Sequence, residues 1–328
     1  MENEIFSKFR PLFKIPNDLI YLDGNSLGPL PISAAEAISN VTHNEWGELL
    51  IKGWNQAGWM KQPEKLGDEI AYLIGAKKNS ITVGDTLSLK LYQALASAIQ
   101  IAPKRGVVLS DKGNFPSDIY IANSLLKQKN LPAVRLVEVS SLESEIKRGD
   151  VAVLMLTQVD YRTGRVHDIE KLTALAKKEG IVTIWDLAHS VGALCLNINQ
   201  DDIDFAVGCT YKYLCGGPGS PAFIYVKPKY IPIIKPEING WLGHKFPFKF
   251  DLSFESASDI RKFRIGTPPV IQMAALKAAL EIWRKVNMIS FRKKAQNLTQ
   301  LFINEIENYG LNLELISPRD PNLRSSQV

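Results

Sequence analysis

The stretch from Ile181 to Val226 reads IVTIWDLAHSVGALCLNINQDDIDFAVGCTYKYLCGGPGSPAFIYV and is the part of the chain that predicts the fold. It contains three short apolar runs separated by turn residues, which is the pattern of buried strands. The first run ends at Asp186, and the turn between the second and third runs carries Lys212. The stretch therefore predicts a carboxylate and a lysine at the ends of neighbouring strands.

This pair of residues suits an enzyme that uses pyridoxal phosphate. The lysine forms a Schiff base with the cofactor, and the carboxylate pairs with the protonated pyridine nitrogen so that the ring accepts electrons. Taken singly, an aspartate that caps a helix and a lysine in a solvated loop are the commoner outcomes. The joint order of strand, Asp-x-x-His, strand, Tyr-Lys and glycine loop favours the aminotransferase-like enzymes of fold type I.

Composition indicates a soluble enzyme with no nucleic-acid or membrane partner. The 328 residues are enough for one large domain and a smaller one, and 45% apolar with 22% charged residues is ordinary for a globular protein. The net charge of +5 is dispersed, and no apolar run approaches the length of a membrane span. Three cysteines without a CxxC pair and four scattered histidines predict a cytoplasmic protein without disulfides or a metal site.

DLAHSVG at 186–192 followed by TYKYLCGGPG at 210–219 resembles the kynureninases, which cleave kynurenine to anthranilate and alanine. The resemblance implies a three-layer α/β/α fold of the pyridoxal-phosphate transferase type. Alternating strands and helices independently predict a mainly parallel sheet. We expect residues 1–52 to contribute to the small domain and the active-site entrance, 53–269 to form the large cofactor-binding domain, and 270–328 to begin a truncated C-terminal α/β domain.

The turn at 84–88 precedes a helix, so its free N–H groups offer a phosphate cradle, although an ordinary N-cap by Asp85 or Thr86 is the alternative. FPSD at 115–118 matches the kynureninase segment whose phenylalanine covers the cofactor ring. The cofactor-binding residues that the resemblance implies are Leu87, Ser88, Phe115, Pro116, Ser117, Asp118, Thr157, Asp186, His189, Tyr211 and Lys212, with Trp241 and Thr267 serving the site of a second chain. Such a shared site implies a homodimer.

The resemblance also implies the catalytic roles. Lys212 carries the cofactor and then acts as a base, Asp186 keeps the pyridine nitrogen protonated, and Tyr211 binds the phosphate and passes a proton. His189 is expected to orient Asp186 or to contact the phosphate. Asn25 and Ser26, in YLDGNSLGPLP at 21–31, would lie near the substrate, kynurenine or its 3-hydroxy form.

Two alternatives remain open. A cysteine desulfurase-like enzyme commonly has histidine before the lysine and over the ring, where this chain has Tyr211 and Phe115. The other alternative is a chain that binds the cofactor without turnover, because the resemblance covers about three-quarters of a family member and no position matches the arginine that binds the substrate carboxylate. The lack of a match for this arginine predicts weak or no activity. Exposed apolar surface on helices 270–286 and 290–308 predicts poor solubility.

Three local expectations complete the prediction. Apolar runs at 134–139 and 312–316 predict a buried strand and a further strand. Lys90 replaces an asparagine expected from the resemblance, a departure that costs the match little because the position is expected to point along the helix.

Overall fold

The structure, a computed structural model, describes residues 6–102 and 105–328. A small antiparallel pair, β1 (Phe13–Lys14) and β2 (Leu30–Pro31), precedes a seven-stranded sheet. The strands of that sheet are β3 (Ile81–Val83), β4 (Val107–Asp111), β5 (Arg135–Val137), β6 (Val151–Thr157), β7 (Val182–Asp186), β8 (Phe205–Gly208) and β9 (Phe223–Val226).

The seven-stranded sheet has the order β3-β9-β8-β7-β6-β4-β5. Strands β5, β4, β6, β7 and β8 are parallel, whereas β9 runs antiparallel to both β8 and β3. The prediction of a mainly parallel sheet is confirmed. The carboxyl ends of the parallel strands share one edge, which is where side chains from distant parts of the chain meet.

Within residues 6–102 and 105–328, eight α-helices of five or more residues connect and cover the strands: α1 (Ile32–Asn40), α2 (Gln62–Ile74), α3 (Leu87–Ile101), α4 (Pro116–Gln128), α5 (Leu142–Ile146), α6 (Ile169–Lys178), α7 (Val270–Trp283) and α8 (Met288–Asn308). Local chemistry sets several of their ends. Gly75 ends α2 in the left-handed conformation, and the side chains of Thr86 and Asp168 cap α3 and α6.

Two hydrophobic clusters lie on opposite faces of the sheet. Leu154 and Leu156 of β6 belong to the cluster that includes residues of α2, α5, α6 and α7, whereas Val153 and Met155 belong to the one that includes residues of α3 and α4. This alternation follows from the period of two in a strand. Because helices cover both faces, the predicted three-layer α/β/α architecture is confirmed.

Two predicted strands differ from the structure. The run at 134–139 forms only the short edge strand β5, in which Leu136 is exposed, because β5 pairs with β4 alone. The run at 312–316 is not a strand. Leu313 and Ile316 are exposed, and the segment pairs with no strand within residues 6–102 and 105–328, so its apolar side chains gain nothing from extended pairing.

The two helices near the C-terminus differ in exposure. The expectation that both expose apolar surface is wrong for α7, which is buried along most of its length against α1 and α2. It holds for α8, where Leu298, Leu301 and Phe302 are exposed and only Ile303 is buried. In the part of the chain that the structure describes, we find no helix long and apolar enough to cross a membrane.

Candidate active site

The sheet edge formed by the carboxyl ends of β6 and β7 brings two predicted site residues together. Thr157 ends β6 and Asp186 ends β7, and they are paired in register. Lys212 follows β8, the neighbour of β7, in the loop that leads to β9. Residues far apart in the sequence therefore meet because parallel strands end at the same edge.

Asp186 and Asp118 form a buried carboxyl pair. Their exposed fractions are 3% and 2%, and the backbone N–H of Ala188 donates to Asp186 Oδ1 at 2.8 Å. Burial raises the pKa of Asp186 to about 6. Burial, and then the charge of Asp186 and a hydrogen bond to it, raise the pKa of Asp118 well above its usual value, because the two carboxyl groups cannot both ionise easily at this buried site.

Lys212 lies between an imidazole and an aromatic ring. Its Nζ is 2.7 Å from Nε2 of His189 and 5.9 Å from the centroid of Phe115. Phe115 is the N-cap residue of α4, whose first turn contains Pro116, Ser117 and Asp118, and its ring contacts Tyr161 edge to face at 5.0 Å. The helix start thus presents one aromatic ring and one carboxyl group to the lysine.

His189 forms its hydrogen bonds with residues other than Asp186. Its Nε2 meets Lys212, and its Nδ1 lies 3.2 Å from Oε1 of Gln327, so its hydrogen bonds do not orient Asp186. Ala188 performs that role through its backbone. Burial, followed by the charge of Lys212, lowers the pKa of His189 to about 4, which makes the imidazole neutral at physiological pH.

A cavity of about 340 Å³ lies at the N-terminus of α3. Leu87 and Tyr211 line it with Ser26 and Leu27, and the first N–H groups of α3 have no partners within the helix. Burial raises the pKa of the Tyr211 hydroxyl to about 12, so this hydroxyl is a hydrogen-bond donor at neutral pH. The cavity combines a helix N-terminus and a hydroxyl, which is the chemistry of a phosphate site.

The N-terminal segment closely approaches the lysine loop. The N–H of Gly28 donates to the Tyr211 carbonyl at 2.9 Å, and a Cβ at Gly28 would lie against the Lys212 carbonyl and 2.7 Å from Cys215 Sγ. Only glycine permits this contact. It places Ser26 at the cavity, where its hydroxyl donates to Asp23 at 2.7 Å, with Asn25 half-buried beside it.

Two predicted site residues lie outside this group. Trp241 is 40% exposed and contacts Phe248 edge to face, and Thr267 is exposed. Neither lines the cavity at Leu87.

Lys90 fixes the turn before α3 in a way that the local motif does not reveal. It is fully buried, and its ammonium group donates to Asp85 at 2.9 Å, to the Phe263 carbonyl at 2.9 Å and to Gln93 at 3.1 Å. This position was expected to point along the helix, whereas its side chain is buried. Helical spacing could have revealed it, because Lys90 shares the buried face of α3 with Ala94.

Replacing Lys90 with methionine is expected to destabilise the protein by about 1–3 kcal/mol, the cost of buried polar groups left without a partner, and to weaken phosphate binding at the adjacent turn. The substitution leaves the Phe263 carbonyl and Asp85, which has a left-handed φ of 56°, without their cationic partner. Urea unfolding and cofactor titration measure the two effects. Lys127→Met, on an exposed position of α4, is the control and should change stability by less than about 0.5 kcal/mol. Equal stability of the two variants would contradict the assigned role.

The residues present fit pyridoxal phosphate. The buried carboxyl pair has no cation in hydrogen-bond contact among the described residues, and Oδ2 of Asp118 has no partner there. A protonated pyridine nitrogen supplies such a cation, the α3 N-terminus suits a phosphate, and Lys212 offers an amine for the aldehyde. Each part of the cofactor has a matching group on one sheet edge.

Comparison with known proteins agrees with this class of site. The Aminotransferase class-V family matches residues 20–327, so the chain belongs to the class V family of pyridoxal-phosphate enzymes. Among solved structures, the apo cysteine desulfurase of Thermococcus onnurineus NA1 covers 98% of this chain and 80% of its own, with a TM-score of 0.82 at 19% identity. A cysteine desulfurase from Escherichia coli has a TM-score of 0.75 at 19% identity, covering 90% and 75%. These likenesses show the fold.

Sequence relatives narrow the class to one family. The kynureninase of Pseudomonas fluorescens is 39% identical over 327 residues, which is 97% of this chain and 78% of the relative. The kynureninase of Burkholderia mallei (strain SAVP1) is 40% identical over 326 residues, with the same coverage. The chain therefore belongs to the kynureninase family and is a pyridoxal-phosphate-dependent hydrolase of carbon–carbon bonds.

Proposed function

We propose that this chain hydrolyses the Cβ–Cγ bond of L-kynurenine and 3-hydroxykynurenine, giving anthranilate or 3-hydroxyanthranilate and L-alanine, at the sheet edge around Lys212. The observation that supports this assignment most directly is the meeting of Lys212, His189 and Phe115 beside the Asp186–Asp118 pair. In the cell, this reaction would belong to cytoplasmic tryptophan catabolism and NAD biosynthesis.

Bound pyridoxal phosphate supplies an electron sink for the bonding electrons released at the substrate's α-carbon. Asp186 would hold the pyridine nitrogen in its protonated form, and Asp118 would keep Asp186 oriented by donating to it. Leu87 and Ser88 would bind the phosphate through backbone N–H groups, and Tyr211 through its hydroxyl. Phe115 would cover one ring face, with Pro116 and Ser117 fixing its position and Thr157 contacting the ring from β6.

Lys212 would hold the cofactor and then take the proton from the substrate's α-carbon. A neutral base is needed for that step, and the neutral His189 beside Nζ accepts a hydrogen bond from the amine without adding positive charge. Tyr211, a donor at neutral pH, would return a proton to the β-carbon. Asn25 and Ser26 would contact the substrate from the N-terminal segment.

The proposed active unit is a homodimer. Trp241 and Thr267 are exposed and lie outside this chain's cavity, as expected of residues that complete a partner's site. Trp241 also belongs to an exposed aromatic surface with Phe248 and Phe250, and exposed apolar surfaces of this kind mark protein interfaces. Residues 1–52, 53–269 and 270–328 are the proposed domain divisions.

Supplying the purified chain with pyridoxal phosphate and L-kynurenine tests the proposal. We expect a visible cofactor band, anthranilate fluorescence and a dimeric mass in solution. A band without anthranilate would instead support cofactor binding without turnover, and sulfide release from L-cysteine would support the desulfurase alternative.

A further inference from the structure

The segment 317–328 returns to the turn that follows β6. Arg324 is fully buried, and its guanidinium donates to the carbonyls of Pro318 at 2.6 Å and Arg319 at 3.0 Å. The N–H of Ser325 donates to the Gly164 carbonyl at 2.7 Å. These bonds fix the backbone immediately before Gln327.

The side chain of Gln327 joins this turn to His189. Its Nε2 donates to the Tyr161 carbonyl at 2.9 Å, and its Oε1 lies 3.2 Å from Nδ1 of His189. A backbone carbonyl can only accept, so the amide nitrogen must face Tyr161 and the amide oxygen must face the imidazole. The proton of the neutral imidazole therefore belongs on Nδ1.

The other imidazole nitrogen faces the lysine. With the proton on Nδ1, Nε2 presents a lone pair to Lys212 Nζ at 2.7 Å, and the lysine donates to it. The opposite tautomer would place an N–H of His189 against the N–H groups of a protonated Lys212. The orientation of one amide thus decides whether the contact at Lys212 is attractive.

We propose that Gln327 is a positioning residue of the active site, which fixes His189 in the Nδ1–H tautomer so that Nε2 accepts a hydrogen bond from Lys212. This role rests on the proposed function of Lys212, and it assigns a task to a segment that the cofactor motifs do not include. Besides the charge of Lys212, which lowers the pKa of His189, the charge of Asp160 acts on it and raises that pKa.

Nitrogen NMR of the protein without cofactor tests the tautomer directly. Of the four histidines, His189 is assigned with His189→Gln, and its two ring nitrogens are then compared at neutral pH. We expect a protonated Nδ1 and an unprotonated Nε2 in the wild type, and a mixture of tautomers in Gln327→Leu. A protonated Nε2 in the wild type, or an unchanged tautomer in Gln327→Leu, would overturn the proposal.

Two further variants separate positioning from folding. Gln327→Met keeps the length of the side chain but has no amide, so it should lose the preference for the Nδ1–H tautomer even if Gln327→Leu fails to fold. Gln296→Leu removes a glutamine that bonds the same segment at the Pro321 carbonyl, 2.9 Å away, without touching His189, and should leave the tautomer unchanged. Loss of the tautomer in Gln296→Leu would refute a specific role for Gln327.

A rate measurement provides an independent readout. Covalent attachment of pyridoxal phosphate to Lys212 should slow by about 3- to 10-fold in Gln327→Leu, the effect of one lost hydrogen bond. The tautomer is observed without substrate, so absence of kynurenine turnover would refute the proposed function and leave this inference standing. A wild-type attachment rate in Gln327→Leu would count against it.

Discussion

Lys212→Ala is expected to abolish covalent attachment of pyridoxal phosphate and to reduce kynurenine hydrolysis by at least about 10⁴-fold. The substitution removes the amine that carries the cofactor and also the base that takes the α-proton, and a positioned base alone contributes about 10²–10⁴-fold. No second amine is within hydrogen-bond distance of His189 Nε2 among the described residues. The visible absorption band of the loaded protein and the rate of anthranilate formation measure the two losses.

Lys112→Ala is the matched control for the loss of a lysine. Lys112 follows β4 near the same sheet edge, but its side chain is exposed and pairs with Glu138 on the surface. Surface pairs of this kind contribute about 0–1 kcal/mol, so this variant should keep both the band and the activity. A visible band that persists in Lys212→Ala would show that another lysine carries the cofactor.

Local sequence patterns predicted the central elements because burial there follows directly from apolar runs. The first apolar run of 181–226 ends at Asp186, as β7 does, and Lys212 lies in the loop between β8 and β9, as predicted. The strand predicted at 312–316 does not form, because apolar residues alone do not bury a segment. Its apolar residues have no neighbouring strand in the structure, and strand formation depends on a partner that the local sequence does not specify.

The active site was predictable where a motif is contiguous. Phe115 and Asp118 lie in one such motif, but the pairing of Asp118 with Asp186 joins residues on different elements and depends on how the start of α4 approaches the end of β7. The contact of Gln327 is harder to predict from the sequence, because Gln327 reaches His189 only when the segment 317–328 packs on the turn following β6. Contacts of this kind are set by tertiary packing and leave no local pattern.

Asp186→Asn is expected to lower turnover by about 10²- to 10⁴-fold. The neutral amide no longer holds the pyridine nitrogen in its protonated form, and removing one partner of a buried charge pair costs about 3–5 kcal/mol. Asp186→Asn should also bind pyridoxal phosphate more weakly than the wild type does, as measured by titration of the visible band. Asp118→Asn is the matched control, since its amide can still donate to Asp186, and it should lose less than about tenfold.

The same Asp186→Asn change is expected to stabilise the chain when no cofactor is bound. Burial raises the pKa of Asp186 from 3.8 to about 6, so the folded state binds more protons than the unfolded state between those values. Wild-type stability should therefore fall as the pH rises from about 4 to about 6, by about 3 kcal/mol from this group. The asparagine variant lacks this titration, and its advantage should be largest at neutral pH.

Denaturant unfolding of both proteins without cofactor, at pH 4 and at pH 7, measures the difference. Stability curves that stay parallel between these pH values would show that Asp186 is not a desolvated carboxyl group. Pyridoxal phosphate should reverse the order at pH 7, because a protonated pyridine nitrogen compensates the buried carboxylate only in the wild type. A carboxylate that destabilises the empty protein and stabilises the loaded one is the expected property of a site whose charge is arranged for its cofactor.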